Sequence, residues 1–358
     1  MAQPHPKEVT LALQGGGSHG ALTWGALDAI LADDRLRITA ISGTSAGAMN
    51  AIVVADGLHR AGRNGAREAL AAFWRAIGDL ARFSPIQPGP WDRLAGRFSL
   101  DASPGYVLFD NLTRIFSPYQ LNPLDINPLR QFLRRHIDFD RVNRCSELSV
   151  YVTATNVRTG RARIFSQPHL TVETVLASAC LPYLHQAVEI DGEAYWDGGY
   201  TGNPALYPLV DHERGRDIVI IQVNPMVRHD LPRTARDILN RLNEVTFNSS
   251  LVKELRAIHL LHELIEAEGL ELERYRDMRL HLIHADEEVQ DLKASSKLNA
   301  DWRYLTHLRD RGRAWATGWL EAHYDAVGER STLDLDELFA DAFRPPDVDD
   351  HQPGDGAG

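Results

Sequence analysis

Near the start of the chain, two aliphatic strands each run straight into a glycine turn and then into a helix. Residues 8–14 (Glu-Val-Thr-Leu-Ala-Leu-Gln) read as a strand that enters Gly15-Gly16-Gly17. From Ser18 to Leu31, the apolar residues Leu22, Ala26, Leu27, Ile30 and Leu31 then recur at helical spacing. Residues 38–42 form a second strand that ends in Gly43-Thr44-Ser45-Ala46-Gly47, and 46–55 is a run of small and aliphatic residues suited to a buried helix. Strand, turn, helix, strand, helix in that order predicts a parallel sheet with right-handed crossovers.

The turns themselves carry the chemistry. Gly43 to Gly47 fits Gly-x-Ser-x-Gly between a strand and a helix, the setting of a nucleophile elbow. Its glycines let strand and helix approach closely, and the helix N-terminus turns its free N–H groups toward Ser45. A plain junction capped by Ser45 is the alternative for this motif alone. Gly15-x-Gly17-x-x-Gly20 satisfies the dinucleotide fingerprint. A nucleotide site would call for a ribose-binding acid at the end of the second strand, and here that strand ends in the serine turn. Backbone N–H groups aimed at an oxyanion, worth about 3–4 kcal/mol per donor, are the better use. Asp197-Gly198-Gly199 follows a hairpin whose turn falls at Asp191-Gly192. Its two glycines let the chain bend so that the Asp197 carboxylate points into a pocket.

Between Phe83 and Pro128 the chain is rich in proline and aromatic residues, so regular structure there is expected to be short and broken. A segment of this kind between core elements suits a cap or lid over a site, or an irregular insertion. Strands are expected at 147–155, 161–166, 187–190, 193–196, 217–223 and 279–284. Helices are expected near 171–179 and 234–267, and in the segment holding Trp302 and Leu320. Ile238, Leu242, Val245, Leu251, Leu255 and Ile258 make apolar stripes along the long helix. Residues 345–358, rich in Pro, Asp and Gly, read as a disordered acidic tail.

The net charge of −11 argues against a nucleic-acid binder. No run of about 18 to 20 apolar residues suggests a membrane span, and the polar start has no signal character, so a cytoplasmic protein is expected. Seven arginines between His59 and Phe98 (60, 63, 67, 75, 82, 93 and 97) face Glu68, Asp79 and Asp92. They read either as a solvated face or as a basic rim for anionic lipid, with the acidic tail as its competitor. The four lysines, Lys7, Lys253, Lys293 and Lys297, are taken as a compositional bias. Cys145 and Cys180 offer no disulfide framework. No histidine and acid spacing makes a convincing metal site, and neither metal nor organic cofactor is expected.

Together, in this order and spacing, the three motifs resemble the patatin-like phospholipase family. Its pattern is a strand, Gly-Gly-Gly-x-Arg/Lys-Gly, then Gly-x-Ser-x-Gly, then Asp-Gly-Gly or Asp-Gly-Ala. Ala177-Ser178-Ala179-Cys180-Leu181-Pro182 also resembles the family's Ala-Ser-x-Ala-x-Pro stretch. The resemblance covers roughly 8–211 and implies a three-layer α/β fold, with a mainly parallel sheet between helices. It leaves 212–344 as a largely helical extension packed on that domain. It implies Ser45 as nucleophile, Asp197 as general base, and an oxyanion hole in the turn formed by Gly15, Gly16, Gly17 and Ser18. Gly20, Gly43, Gly47, Gly198 and Gly199 shape the turns. His19 departs from the pattern, standing where the family has Arg or Lys, and carries charge only when protonated, near a pKa of about 6.5. The implied partner is a lipid ester at or near a membrane surface.

Rival readings remain at this point. His281 and His284 lie on or after a late strand, where a Ser–His–Asp α/β-hydrolase places its histidine. A polyester or simple ester is an alternative substrate, and a lipid-binding protein without catalysis is an alternative to an enzyme.

Overall fold

The computed structural model describes residues 5–82, 84, 86–89, 98–101, 103–213, 215–268, 278–284, 292 and 294–340. The expected tail at 345–358 lies outside them, as do Arg93 and Arg97 of the basic stretch.

β1 (Lys7–Leu13), β2 (Leu36–Thr44), β3 (Ser149–Asn156), β7 (Asp217–Ile221) and β8 (Arg279–Ile283) are parallel, and β4 (Ala162–Ser166), β5 (Val188–Ile190) and β6 (Glu193–Asp197) are antiparallel additions. They form one eight-stranded sheet in the order β5-β6-β3-β2-β1-β7-β8, with β4 beside β3. Alternation along the strands divides the core in two. Val9, Leu11, Leu13, Val219 and Ile221 face one cluster, while Ala12, Ala40, Ile218 and Ile220 face the other. Burial on both faces explains why these strands are nearly continuous aliphatic runs.

The first face is covered by α1 (Gly20–Ala32), α2 (Ala46–Ala81) and α10 (Trp302–His323), through Trp24, Leu27, Ile52, Tyr304 and Leu308. The second is covered by α8 (Tyr207–His212), α9 (Ala235–Glu268) and α11 (Leu335–Ala340), through Leu209, Leu251, Leu255, Ile258 and Leu335. The result is a three-layer α/β fold. α2 is interrupted at Ala61 and Gly62, where the backbone leaves helical geometry and Gly62 takes φ 62°.

Regular structure between 103 and 136 is short and interrupted, and its prolines start the helices: α3 (Pro104–Ile115), α4 (Pro118–Leu121) and α5 (Pro128–His136) each open on one. Ser103, Ser117 and Asn127 precede them as N-caps, and a proline at the first helical position loses no hydrogen bond. Two more short helices, α6 (Phe139–Arg144) and α7 (Val172–Ser178), carry the chain to and from β3 and β4. The stripe on α9 is buried only from Phe247 onward; Ile238, Leu242 and Val245 are exposed. The region beyond residue 211 also supplies β7 and β8 to the central sheet. Among the described residues, no helix is long and apolar enough to cross a membrane.

Candidate active site

Strand register brings the serine and the aspartate together. Thr44, the last residue of β2, pairs with Thr153 on β3, and the next residue of β3, Ala154, pairs with Asp197 at the end of β6. Ser45 therefore leaves the sheet beside the point where Asp197 leaves it. Ser45 sits at φ 54°, ψ −119°, a backbone conformation that is strained for any residue with a Cβ. α2 starts at the next residue, so its unbonded N–H groups converge on this turn. Gly47 permits the elbow, because a Cβ there would run into the Leu13 carbonyl of β1.

The segment Ala177 to Pro182 holds both residues by the backbone. The Ser45 N–H donates to Ser178 Oγ at 2.9 Å, and the Asp197 N–H donates to the Cys180 carbonyl at 2.8 Å. The Asp197 carboxyl is buried, with Oδ1 accepting from the Gly199 N–H at 2.7 Å. Among the described residues, its Oδ2 has no hydrogen-bond partner. The Ser45 hydroxyl is close enough to favour the charged carboxyl without making a formed hydrogen bond to it. Burial pushes the Asp197 carboxyl up to about 7, against the Gly199 N–H, the Ser45 hydroxyl and the Lys297 ammonium, which favour ionisation.

The glycine turn lies across from this pair. Gln14, at its start, is buried: its Oε1 accepts from the Val223 and Asn224 N–H groups, and its Nε2 donates to Asn248 Oδ1. The Gly15 N–H donates to Asn203 Oδ1 at 2.7 Å, so it is not available to an oxyanion. That narrows the expected hole to Gly16, Gly17 and Ser18, which line the same cavity as Ser45 and Asp197. Gly17 takes φ 59°, and a Cβ on it would stand 2.5 Å from the Lys297 carbonyl. His19 turns away from the cavity. It is buried, its Nε2 lies 2.8 Å from Ser296 Oγ, and burial holds its pKa well below the usual histidine value. It is neutral and supplies no cation.

The cavity has a volume of about 440 Å³. Met49, Phe73, Trp74, Leu129, Leu184 and Phe247 make its apolar wall, and α3 adds Tyr106, Asp110 and Arg114. Among the described residues no histidine lines it. His281 is fully buried elsewhere, with Nε2 3.0 Å from Asp217 Oδ1 and Nδ1 3.0 Å from Thr332 Oγ1, where it ties β7 and β8 to the segment after α10. Arg63, from the basic stretch, donates to main-chain carbonyls of Leu31, Leu36 and Asp33, and Arg67 pairs with Asp28. Arg75 and Arg82 both approach Asp79. Among the described residues, no group of three or more His, Cys, Asp or Glu side chains is arranged to hold a metal.

Sequence reasoning missed Lys297 and the backbone role of Ser178. Lys297 was hidden because it is an isolated lysine far along the chain, and only the fold brings it to Gly17. Ser178 was visible as part of a family-like stretch, but its bond to the Ser45 amide was not.

No curated protein sequence matches the chain significantly. Among solved structures it is similar to VipD from Legionella pneumophila, at 15% identity and a TM-score of 0.41, covering 89% of this chain and 67% of that one. It is similar also to the type III effector protein ExoU, at 16% identity and a TM-score of 0.32, covering 94% of this chain and 58% of that one. The family model for patatin-like phospholipase matches residues 11–210, more than half of the chain and all three motifs. With Gly15–Gly20, Gly43–Gly47 and Asp197–Gly199 joined around one cavity, the chain belongs to the patatin-like phospholipase family.

Proposed function

We propose that the protein is a serine acyl hydrolase that cleaves carboxylic esters of lipids through a Ser45–Asp197 dyad. The observation that carries this reading is the partnerless Asp197 Oδ2 beside the strained Ser45 turn, in a cavity that no described histidine lines. Asp197 takes the Ser45 hydroxyl proton as the oxygen attacks the ester carbonyl. The Gly16 and Gly17 N–H groups, with the N-terminus of α2, receive the charge that develops on the carbonyl oxygen. The alcohol leaves with the proton from Asp197. Water then gives a proton to Asp197 and attacks the acyl-enzyme, which releases the acid and restores Ser45. A carboxyl near 7 suits both halves of this cycle, since it accepts and returns a proton at neutral pH.

The apolar wall suits an acyl chain. The two helices that contribute Tyr106, Asp110, Arg114, Leu239, Asn240 and Asn243 to the cavity wall also carry exposed apolar residues, Leu108 and Ile115 on α3 and Ile238 and Leu242 on α9. Those two faces are proposed as the surface that a lipid aggregate meets.

The test is hydrolysis of p-nitrophenyl esters and defined phospholipids by wild type, Ser45→Ala and Asp197→Asn, with a fluorophosphonate probe as the covalent readout. Labelling at Ser45 and loss of turnover in both variants are expected. Full turnover by either variant at an unchanged melting temperature overturns the dyad.

A further inference from the structure

Lys297 belongs to the 3-10 turn Ala294–Leu298, which is fastened to its surroundings at several points. Ser296 Oγ meets His19 Nε2 at 2.8 Å and receives the Tyr304 hydroxyl at 2.9 Å. Ser295 Oγ receives the Leu100 N–H at 3.3 Å. The Lys297 carbonyl packs against Gly17, so this turn has a fixed position relative to the glycine motif.

The ammonium at its tip has no carboxylate at ion-pair distance among the described residues. The Phe247 ring lies 5.8 Å from Nζ to the centroid. Glu244, the largest acidic influence on it, is itself held by Arg228 at 2.7 Å and Arg241 at 3.2 Å. Arg114, a second cation on the cavity wall, is committed to Asp110 at 3.0 Å. An unpaired cation in a mainly apolar cavity is costly to hold, and such groups mark places where a ligand supplies the missing charge. Burial brings the Lys297 ammonium down to about 8, which keeps it mostly protonated at neutral pH.

We infer that Lys297 receives the phosphate of a glycerophospholipid whose acyl ester lies at Ser45, and so sets the enzyme's preference for phosphate-bearing esters over neutral ones. The inference rests on the acyl-hydrolase reading above and deepens it. Lys297 lines the same cavity as Ser45, Gly16 and Gly17. Lys297 acts here as a specificity residue; it takes no part in the proton transfer.

The deciding experiment compares two soluble substrates with identical acyl chains, dihexanoylphosphatidylcholine and dihexanoylglycerol. Wild type, Lys297→Met, Lys297→Gln and Lys297→Arg are assayed on both, with melting temperature as the fold control. The expected result is a ratio of kcat/KM, phospholipid over diacylglycerol, that falls by about tenfold or more in the Met and Gln variants. KM for the phospholipid should carry the loss, and arginine should restore most of the ratio. An unchanged ratio in either folded neutral variant overturns the inference. Equal loss on both substrates also overturns it, and with a displaced pH profile assigns Lys297 to Asp197 instead, leaving the dyad intact. A wild type that cleaves neither ester overturns the acyl-hydrolase reading and this inference together.

Discussion

The Gly199 N–H holds Oδ1 of Asp197 at 2.7 Å, while Oδ2 of the same carboxyl has no hydrogen-bond partner among the described residues. One oxygen is fixed and the other is free to take a proton. Because burial places this carboxyl near 7, kcat/KM should fall tenfold per pH unit on the acid side, with its midpoint near pH 7. Asp197→Asn should lose on the order of 10⁴ in rate or more and show no such limb. A wild-type profile flat from pH 5 to pH 8 would remove Asp197 from the role of base.

The same carboxyl makes stability depend on pH. An unfolded aspartate titrates near about 3.9, so between about pH 4 and pH 7 the native state keeps a proton that the unfolded state has released. Stability from this group is complete below about pH 4 and is lost as pH rises through about 7. Asp197→Asn removes the penalty and keeps the Gly199 hydrogen bond. At pH 8 it should melt at a higher temperature than wild type, by up to a few kcal/mol of stability, and the two should converge near pH 4. Thermal melts across that range check the trend.

Ser178 is the less obvious target. Its Oγ accepts from the Ser45 N–H, and Ser178→Ala leaves that amide unsatisfied in a strained turn. A cost of about 1–3 kcal/mol in stability is expected. A drop in kcat larger than any rise in KM should accompany it, since the nucleophile loses its hold rather than the substrate its site. Steady-state kinetics at unchanged fold separates the two.

His281→Gln should do the reverse. It loses the bonds to Asp217 and Thr332 in a fully buried position and should lower the melting temperature clearly. Turnover of the folded fraction should stay within about tenfold, where a triad histidine would cost on the order of 10⁴. A loss of that size on intact structure moves the protein to the Ser–His–Asp class.

Replacing Ile238 and Leu242 by glutamate places charge on the exposed start of α9, beside Leu239 of the cavity wall. Hydrolysis of phospholipid in vesicles should fall by about tenfold or more, while hydrolysis of a soluble short-chain ester should change little. Vesicle co-sedimentation gives the same comparison without turnover. Equal binding by wild type and variant discards this contact zone.

Much of this molecule is legible in its sequence. The two strand–glycine–helix units fixed β1, α1, β2 and the start of α2, because their aliphatic runs and glycines admit few other folds. The Asp191-Gly192 turn was also readable: both residues have positive φ, 52° and 80°, as such a hairpin demands. The helices at 104–136 were not, since proline at a first helical position looks the same in sequence as proline that ends a helix. Gly15 could not be separated from Gly16 and Gly17 as an oxyanion donor, because its competitor, Asn203, lies 188 residues away in sequence. Lys297 was dismissed on composition alone. Its meaning comes from a packing contact with Gly17 that no local pattern encodes.

The place of β1 in the sheet, between β2 and β7, has a consequence in time. On the ribosome, β1 and β2 emerge early and can pair at once, but β7 begins only at Asp217. Through nearly all of the intervening synthesis, the other edge of β1 has no partner. An open aliphatic edge of that kind is the usual seed of misassembly between nascent chains. Expression should therefore be sensitive to translation speed and to chaperone supply. A fragment cut at residue 211, though it keeps all three motifs, would be born with that edge permanently exposed.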